Sequence, residues 1–429
     1  MKNYIPILWI RNGLEKRNVL KILKNRRRNY VILSQVGNAI IGLLSGKLIA
    51  EFILPEQFGI YSLQFAAFTF FFGLLIAPTL RFLKATYTTL YKKIGIVPYL
   101  TCLGVLLLPL YLLLITFFEV NQGKIENKIF LYIIILIFIP FNLISNLLID
   151  QFNVLDKIKE LSSLTVLKSF AGLLFLIIIF YLLPANNPDY INLWIMQLII
   201  GISGTLFYWR KFSLIVKSKK VSYVKFFKRQ LRFAGPLMIL AFWSWINNFF
   251  DRFAIENFMQ MKDVGLYNAN YGLGAKFFLL LHPIFLIMLT PLVYSNKSIG
   301  IKKKAITKYS LVYFFIGGIV LLVLFHLTEV IGTLLLSESY SQGFFLIFWT
   351  ALAYLFMTAT FLYESIFYYE QNTAFILKTH LAAAILNICL NIALIPLYGL
   401  NGAIWATILS SILRFGLVVV NFIKLEHKL

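Results

Sequence analysis

Ser244, Asn248, Asp251 and Arg252 fall at i, i+4, i+7 and i+8 of one apolar stretch, which places all four on one face of a helix. Trp243, Trp245, Phe249 and Phe250 are interleaved with them. Amides and charges beside flat aromatic faces suit a sugar, which offers hydroxyls and C–H patches together. The alternative is an aromatic belt with ordinary packing. Asn268, Gly272 and Lys276 recur every four residues in the next stretch, again on one face. A lone lysine in apolar surroundings must find an anion or a water-filled cavity, or lose its proton. For Lys276 an anionic ligand group and an internal salt bridge to Asp251 or Glu256 are equally good expectations.

Charges in such stretches also repeat. Lys47 precedes Glu51 by four residues, and Arg252 precedes Glu256 by four, the two pairs being 205 residues apart. Each is followed by a short acidic turn and a Gly-x-Tyr, Gly59-Ile60-Tyr61 and Gly265-Leu266-Tyr267. Pro184 and Pro396 close two later stretches at an offset of 212. Lys47 sits on a different face from Ser34, Asn38 and Ser45 and is close enough to its helix end to snorkel. Arg414 is mid-stretch and ambiguous. Lys168 and Glu364 read as snorkelling side chains, and His282, before Pro283, as a packed histidine at a kink. Pro78, Pro109, Pro140, Pro236, Pro283 and Pro291 permit bends.

The elements that carry these residues are membrane helices. Mean hydropathy is +0.82 over 429 residues, 60% are hydrophobic and 13% charged, which excludes an ordinary soluble domain. Twelve spans are expected, at about 30–53, 58–80, 94–118, 129–150, 163–183, 190–209, 233–256, 264–291, 309–328, 342–368, 376–396 and 402–423. Lys and Arg number 32 in the termini and alternate loops, against three (Lys124, Lys128, Lys262) on the opposite side. Positive loops stay in the cytoplasm, so both termini are expected there. The net charge of +23 is therefore a topology signal, and nucleic acid is not an expected partner. Cys102 and Cys389 lie in apolar runs, where a disulfide is not expected.

Spans one to six and seven to twelve correspond in order. Each half holds an even number of spans, so the repeat is parallel, about an axis along the membrane normal, as in many secondary transporters. The expected fold is an all-α polytopic membrane protein of two six-helix lobes. Residues 1–29 form a basic amphipathic segment, 30–209 the first lobe, 210–232 a basic linker lying on the membrane surface, 233–423 the second lobe, and 424–429 a tail.

Asp251-Arg252 with Val264-Gly265-Leu266-Tyr267 resembles the seventh and eighth helices of bacterial polysaccharide flippases. Ile395-Pro396-Leu397-Tyr398-Gly399-Leu400-Asn401-Gly402-Ala403 and Leu54-Pro55-Glu56-Gln57-Phe58-Gly59-Ile60-Tyr61 are similar to further segments of that family. The chain thus resembles lipid-linked oligosaccharide flippases of the O-antigen and capsule type, in the multidrug/oligosaccharidyl-lipid/polysaccharide superfamily. The resemblance implies a V-shaped bundle around a central cavity, in a bacterial inner membrane. It implies movement of an undecaprenyl-pyrophosphate-linked sugar unit between leaflets, and membrane lipids and other polysaccharide-assembly membrane proteins as partners. Cell-wall precursor flippases of the superfamily carry cavity arginines, and Lys47, Arg252 and Lys276 are the comparable positions here.

The expected substrate-contacting set is thus Arg252, Lys276, Asp251, Asn248, Trp245, Asn268 and Lys47. No G-x-x-x-x-G-K-[ST] phosphate loop occurs, so ATP hydrolysis by this chain is not expected. No cofactor or metal is expected, and coupling to a gradient of an unidentified ion is left open. A multidrug or organic-cation antiporter is the competing reading, but it calls for acidic groups deep in the first lobe. Spans one to six hold only Glu51 and Asp150, both near span ends. A membrane glycan polymerase or transferase needs a sizeable outer loop, and none is expected.

Overall fold

The computed structural model describes residues 26–121, 128–182, 188–208, 222–295 and 298–425. In lipid the backbone can satisfy its own hydrogen bonds only within helices or closed barrels, and an apolar chain of this composition takes the first course. Twelve long helices follow in order: α1 (Arg26–Phe52), α2 (Pro55–Leu75), α3 (Val97–Asn121), α4 (Lys128–Val154), α5 (Ile158–Ile177), α6 (Tyr190–Tyr208), α7 (Tyr223–Phe258), α8 (Met261–Val293), α9 (Ile299–Leu335), α10 (Phe345–Tyr369), α11 (Thr373–Tyr398) and α12 (Leu400–Lys424). Eleven are long and apolar enough to cross a membrane, and Tyr190–Leu206 of α6 is a shorter apolar helix. The chain is a multi-pass membrane protein.

The expected spans match these helices one for one, with two informative differences. The helix of span seven begins at Tyr223 and runs 36 residues, so the second half of the expected surface linker is the first part of α7. Residues 209–221, like the basic segment up to residue 25, lie outside the described residues. Span eleven continues past Pro396 to Tyr398, and the chain turns at Gly399, whose φ of +57° is cheap only without a Cβ. Pro184 lies outside the described residues.

Helix starts follow local chemistry. Pro55 opens α2, where its missing N–H would be unpaired in any case. Gln260 and Asp263 cap α8 reciprocally, the Gln260 N–H donating to Asp263 Oδ2 at 3.1 Å. A short helix (Ala77–Thr86) and a π-helical turn (Tyr87–Tyr91) extend α2 toward the basic end, and a 3₁₀ turn (Glu338–Gly343) joins α9 to α10.

The packing repeats as the sequence does. α1 packs on α5 as α7 packs on α11; α4 on α6 as α10 on α12; and α5 on α6 as α11 on α12. Buried apolar residues form two large groups. One runs from Ile53 to Phe226, and the other is drawn almost wholly from Ala254 to Phe422. Between them α2 packs on α7 and α8.

The α2–α8 contact is symmetric. A Cβ at Gly59 would lie 2.2 Å from the Met261 carbonyl oxygen, and one at Gly265 would lie 1.7 Å from that of Pro55. Gly59 and Gly265, like Pro55 and Met261, are 206 residues apart. Two equivalent helix starts therefore cross with each glycine against the other's first turn. One turn deeper, Asn268 Nδ2 donates to Ser62 Oγ at 2.8 Å, and these too are 206 apart.

Candidate functional site

Asp251 and Arg252 are both buried, near the charge-poor end of α7. Arg252 Nη1 lies 3.0 Å from Asp251 Oδ1 and donates at 2.5 Å to the Asn248 carbonyl. Its Nε donates to Asn268 Oδ1 at 2.7 Å, and the guanidinium lies over the rings of Phe249 and Tyr271. The Tyr267 hydroxyl donates to Asp251 Oδ2 at 2.6 Å. The pair is thus neutralised and hydrogen-bonded, the condition under which buried charges persist. Asn268 then passes the contact to Ser62 of the other half.

Lys276 is placed differently. Its ammonium donates to the Gly42 carbonyl at 3.2 Å, and among the described residues no carboxylate pairs with it. The expected salt bridge to Asp251 does not form, because Arg252 and Tyr267 occupy that carboxylate. Lys276 instead faces a cavity of about 210 Å³ between α1, α8 and the end of α9. Asn268, Gly272 and Lys276 line it from α8, Gly46 and Ala50 from α1, and Tyr340 from the 3₁₀ turn. The expected polar face of α8 is therefore real. Asn268 is the hinge of the arrangement, because it lines the cavity and holds Arg252.

The other expected residues are used in packing. The Trp245 indole donates to the Ala66 carbonyl at 2.8 Å, and its ring lies 4.7 Å from that of Phe70, so it ties α7 to α2. Asn248 Nδ2 donates to the Ser244 carbonyl one turn back. Lys47 donates to the Thr333 and Leu336 carbonyls at 3.2 and 2.5 Å. It therefore caps the C-terminus of α9, where a helix favours a cation. Nearby, Ser337 Oγ donates to the Ala50 carbonyl and Tyr340 Oη to that of Ile53.

One cluster was not legible in the sequence. Glu364, read above as a snorkelling side chain, is fully buried and receives a 2.8 Å hydrogen bond from Arg414 Nη2. His380 Nε2 lies 2.5 Å from the same nitrogen. The three sit on α10, α12 and α11, so no local spacing links them. The available signal was three ionisable residues within three successive spans. His282 packs on Phe361, its ring 5.2 Å away, in keeping with the reading of a packed histidine.

The comparisons agree with this architecture. The structure resembles that of a lipid II flippase, MurJ, in an inward closed conformation, with a TM-score of 0.65, 16% identity, and 92% of this chain and 87% of that chain covered. It also resembles an inward-facing multidrug resistance MATE transporter of the MOP superfamily (TM-score 0.63, 13% identity, 92% and 99% covered). A third likeness is a MOP superfamily transporter from Pyrococcus furiosus, described as having a binding pocket of reversed polarity (TM-score 0.55, 14% identity, 93% and 96% covered). At these identities the likeness is one of fold. Among curated proteins no sequence relative is found. The family model for polysaccharide biosynthesis proteins matches residues 28–297, well over half of the sequence, and the chain belongs to that family.

Proposed function

We propose that the protein translocates a lipid-linked oligosaccharide, carried on undecaprenyl pyrophosphate, from the inner to the outer leaflet of a bacterial inner membrane. The observation that carries this reading is the Lys276 ammonium, set in a cavity without a carboxylate partner. A buried cation that lacks a protein counter-charge favours an anionic guest, and a pyrophosphate is one. No acidic residue is among those that line the cavity, so an organic cation would find no counter-charge there.

The mechanism is alternating access. The two six-helix halves rock against each other and part at the α2–α8 crossing, and the charge-poor end faces outside. The sugar head crosses through the cavity. The long prenyl tail stays in the bilayer through a gap between the halves, because withdrawing it costs about 0.8 kcal/mol per CH₂. The head alone is recognised, by Lys276 with Asn268, while Arg252 holds Asn268 in place.

The test is complementation of a flippase-deficient strain at native expression. Lys276→Ala abolishes complementation while the protein still reaches the membrane, and Lys276→Arg retains more activity than Lys276→Ala. Full complementation by Lys276→Ala would remove the anion-binding role.

A further inference from the structure

The Glu364–His380–Arg414 cluster has the geometry of a site that takes up a proton. A guanidinium has five donors and no acceptor, so at 2.5 Å from Arg414 Nη2 the His380 Nε2 must accept. The imidazole is therefore neutral here, with its proton on Nδ1. The same Nε2 is 3.8 Å from Glu364 Oε1. Glu364 Oε2 and Arg414 Nε are buried and without hydrogen-bond partners among the described residues, although an ionised carboxylate offers about four acceptor positions. The cluster is neutral overall but under-satisfied, which is costly at low dielectric.

One added proton rearranges it. With both ring nitrogens protonated, His380 can no longer accept from Arg414 and can only donate, and Glu364 Oε1 lies 3.8 Å from Nε2 as an acceptor. The net charge rises from zero to plus one, which a buried site resists unless the structure around it opens. From α9, which packs on α10, the buried Lys302 lies 3.2 Å from the Tyr369 ring centroid, and Lys303 lies over the Phe422 ring and donates to the Ile423 carbonyl. Tyr368 of α10 lies within electrostatic reach of Glu364 and Arg414, with Tyr294 beyond it. On the α8 side, Phe361 separates Arg414 from His282. Among the described residues, no charged side chain of α7, which packs on α11, pairs with the three.

The cluster is also connected to the inter-half contact. Ser410 and Thr407 precede Arg414 on one face of α12, spanning about 10 Å at ~1.5 Å per residue. Ser410 Oγ accepts from Asn387 Nδ2 at 3.3 Å. The Thr407 hydroxyl donates to the Ala403 carbonyl within α12, and α12 packs on α7, whose Asp251 accepts from the Tyr267 hydroxyl. From there the contacts already described lead through Arg252 and Asn268 to Ser62. In the first half, Asp150 of α4 pairs with Lys84, but both side chains are partly exposed, at 21% and 37%. Among the described residues, the buried carboxylate–arginine pairs lie in the second half.

We propose that Glu364, His380 and Arg414 form a proton-binding site, and that α12, through its packing on α7, couples proton uptake to release of the Arg252–Asn268–Ser62 contact. This deepens the translocation reading by naming the coupled ion, and rests on it only for the use to which the proton is put.

The test uses the full chain in lipid vesicles, with Cys102 and Cys389 replaced by Ala and spin labels at the exposed Leu54 and Ser339, one in each half. Pulsed dipolar spectroscopy then reads the population with the two halves in contact. In the parent, acidification from about pH 8 to about pH 5 lowers the ratio of closed to open states about fivefold or more. His380→Gln keeps an acceptor for Arg414 and abolishes the dependence, as does the neutral double variant Glu364→Gln/Arg414→Gln. A parent without pH dependence, or a profile unchanged in His380→Gln, overturns the proposal. The measurement needs no glycolipid, so failed complementation by the parent chain, which would sink the translocation reading, leaves it standing.

Discussion

Gly59→Ala and Gly265→Ala act directly on the contact between the halves. At Gly265 the new methyl would sit 1.7 Å from the Pro55 carbonyl oxygen and at Gly59 2.2 Å from that of Met261, where 3.4 Å is ordinary contact. In both cases the obstacle is backbone, which no rotamer change removes, so α2 and α8 must part by more than an ångström. Overpacking of this kind costs about 1–3 kcal/mol. Charged only to the closed arrangement, that shifts the closed-to-open ratio about 5- to 150-fold, at about 1.4 kcal/mol per tenfold. The two substitutions should have similar effects, because the contacts are equivalent by the repeat. The Leu54–Ser339 spin-label pair measures the population, and membrane protein level separates a conformational shift from misfolding. Gly416→Ala is the control, since its Cβ would meet nothing within 4 Å. Closed populations in both alanine variants equal to that of the Gly416→Ala control would refute the idea that this crossing is the moving contact.

Two further outcomes are expected. Arg252→Gln strands a buried Asp251 and lowers membrane protein level, by the roughly 3–5 kcal/mol that such unpairing costs, whereas Asp251→Asn/Arg252→Gln recovers it; equal loss in both would show that the ion pair is not the cause. Impermeant thiol reagents should reach a single cysteine in the 122–127 segment of intact cells and miss one in 211–220, and the opposite pattern would reverse the orientation.

Most of the fold was legible because membrane helices are written in runs of residues adjacent in sequence. The twelve apolar stretches and the polar face of α8 needed no tertiary information. What was misread depends on partners far along the chain. Lys47 looked like a cavity cation, but its acceptors are the Thr333 and Leu336 carbonyls, 286 and 289 residues away. Glu364 looked like a snorkelling acid because it lies one turn from a helix end, and only the arrival of Arg414 from α12 explains its burial. Trp245 looked like a sugar platform, yet its indole N–H is already spent on Ala66 of α2. Residue type and helical face locate polar groups well. Whether such a group is free or already satisfied is decided by helices whose approach no local pattern encodes.

The repeated basic residues make the same point in terms of mechanism. Lys47 and Arg252 occupy equivalent places in the two halves, yet Lys47 caps a helix of the opposite half, while Arg252 is neutralised within its own. A two-fold arrangement could have used both in the same way. Instead the symmetry is kept where the halves touch, at Gly59 with Gly265 and Ser62 with Asn268, and broken where charge is held. A symmetric crossing puts the same close backbone contact on each of the two halves. The charges that could set a direction, Lys276 at the cavity and the Glu364 cluster behind it, belong to the second half alone. With the repeat axis along the membrane normal the two faces differ already, so what this division adds is one anion-binding cation and one buried acidic cluster for the pair of halves, in place of two of each.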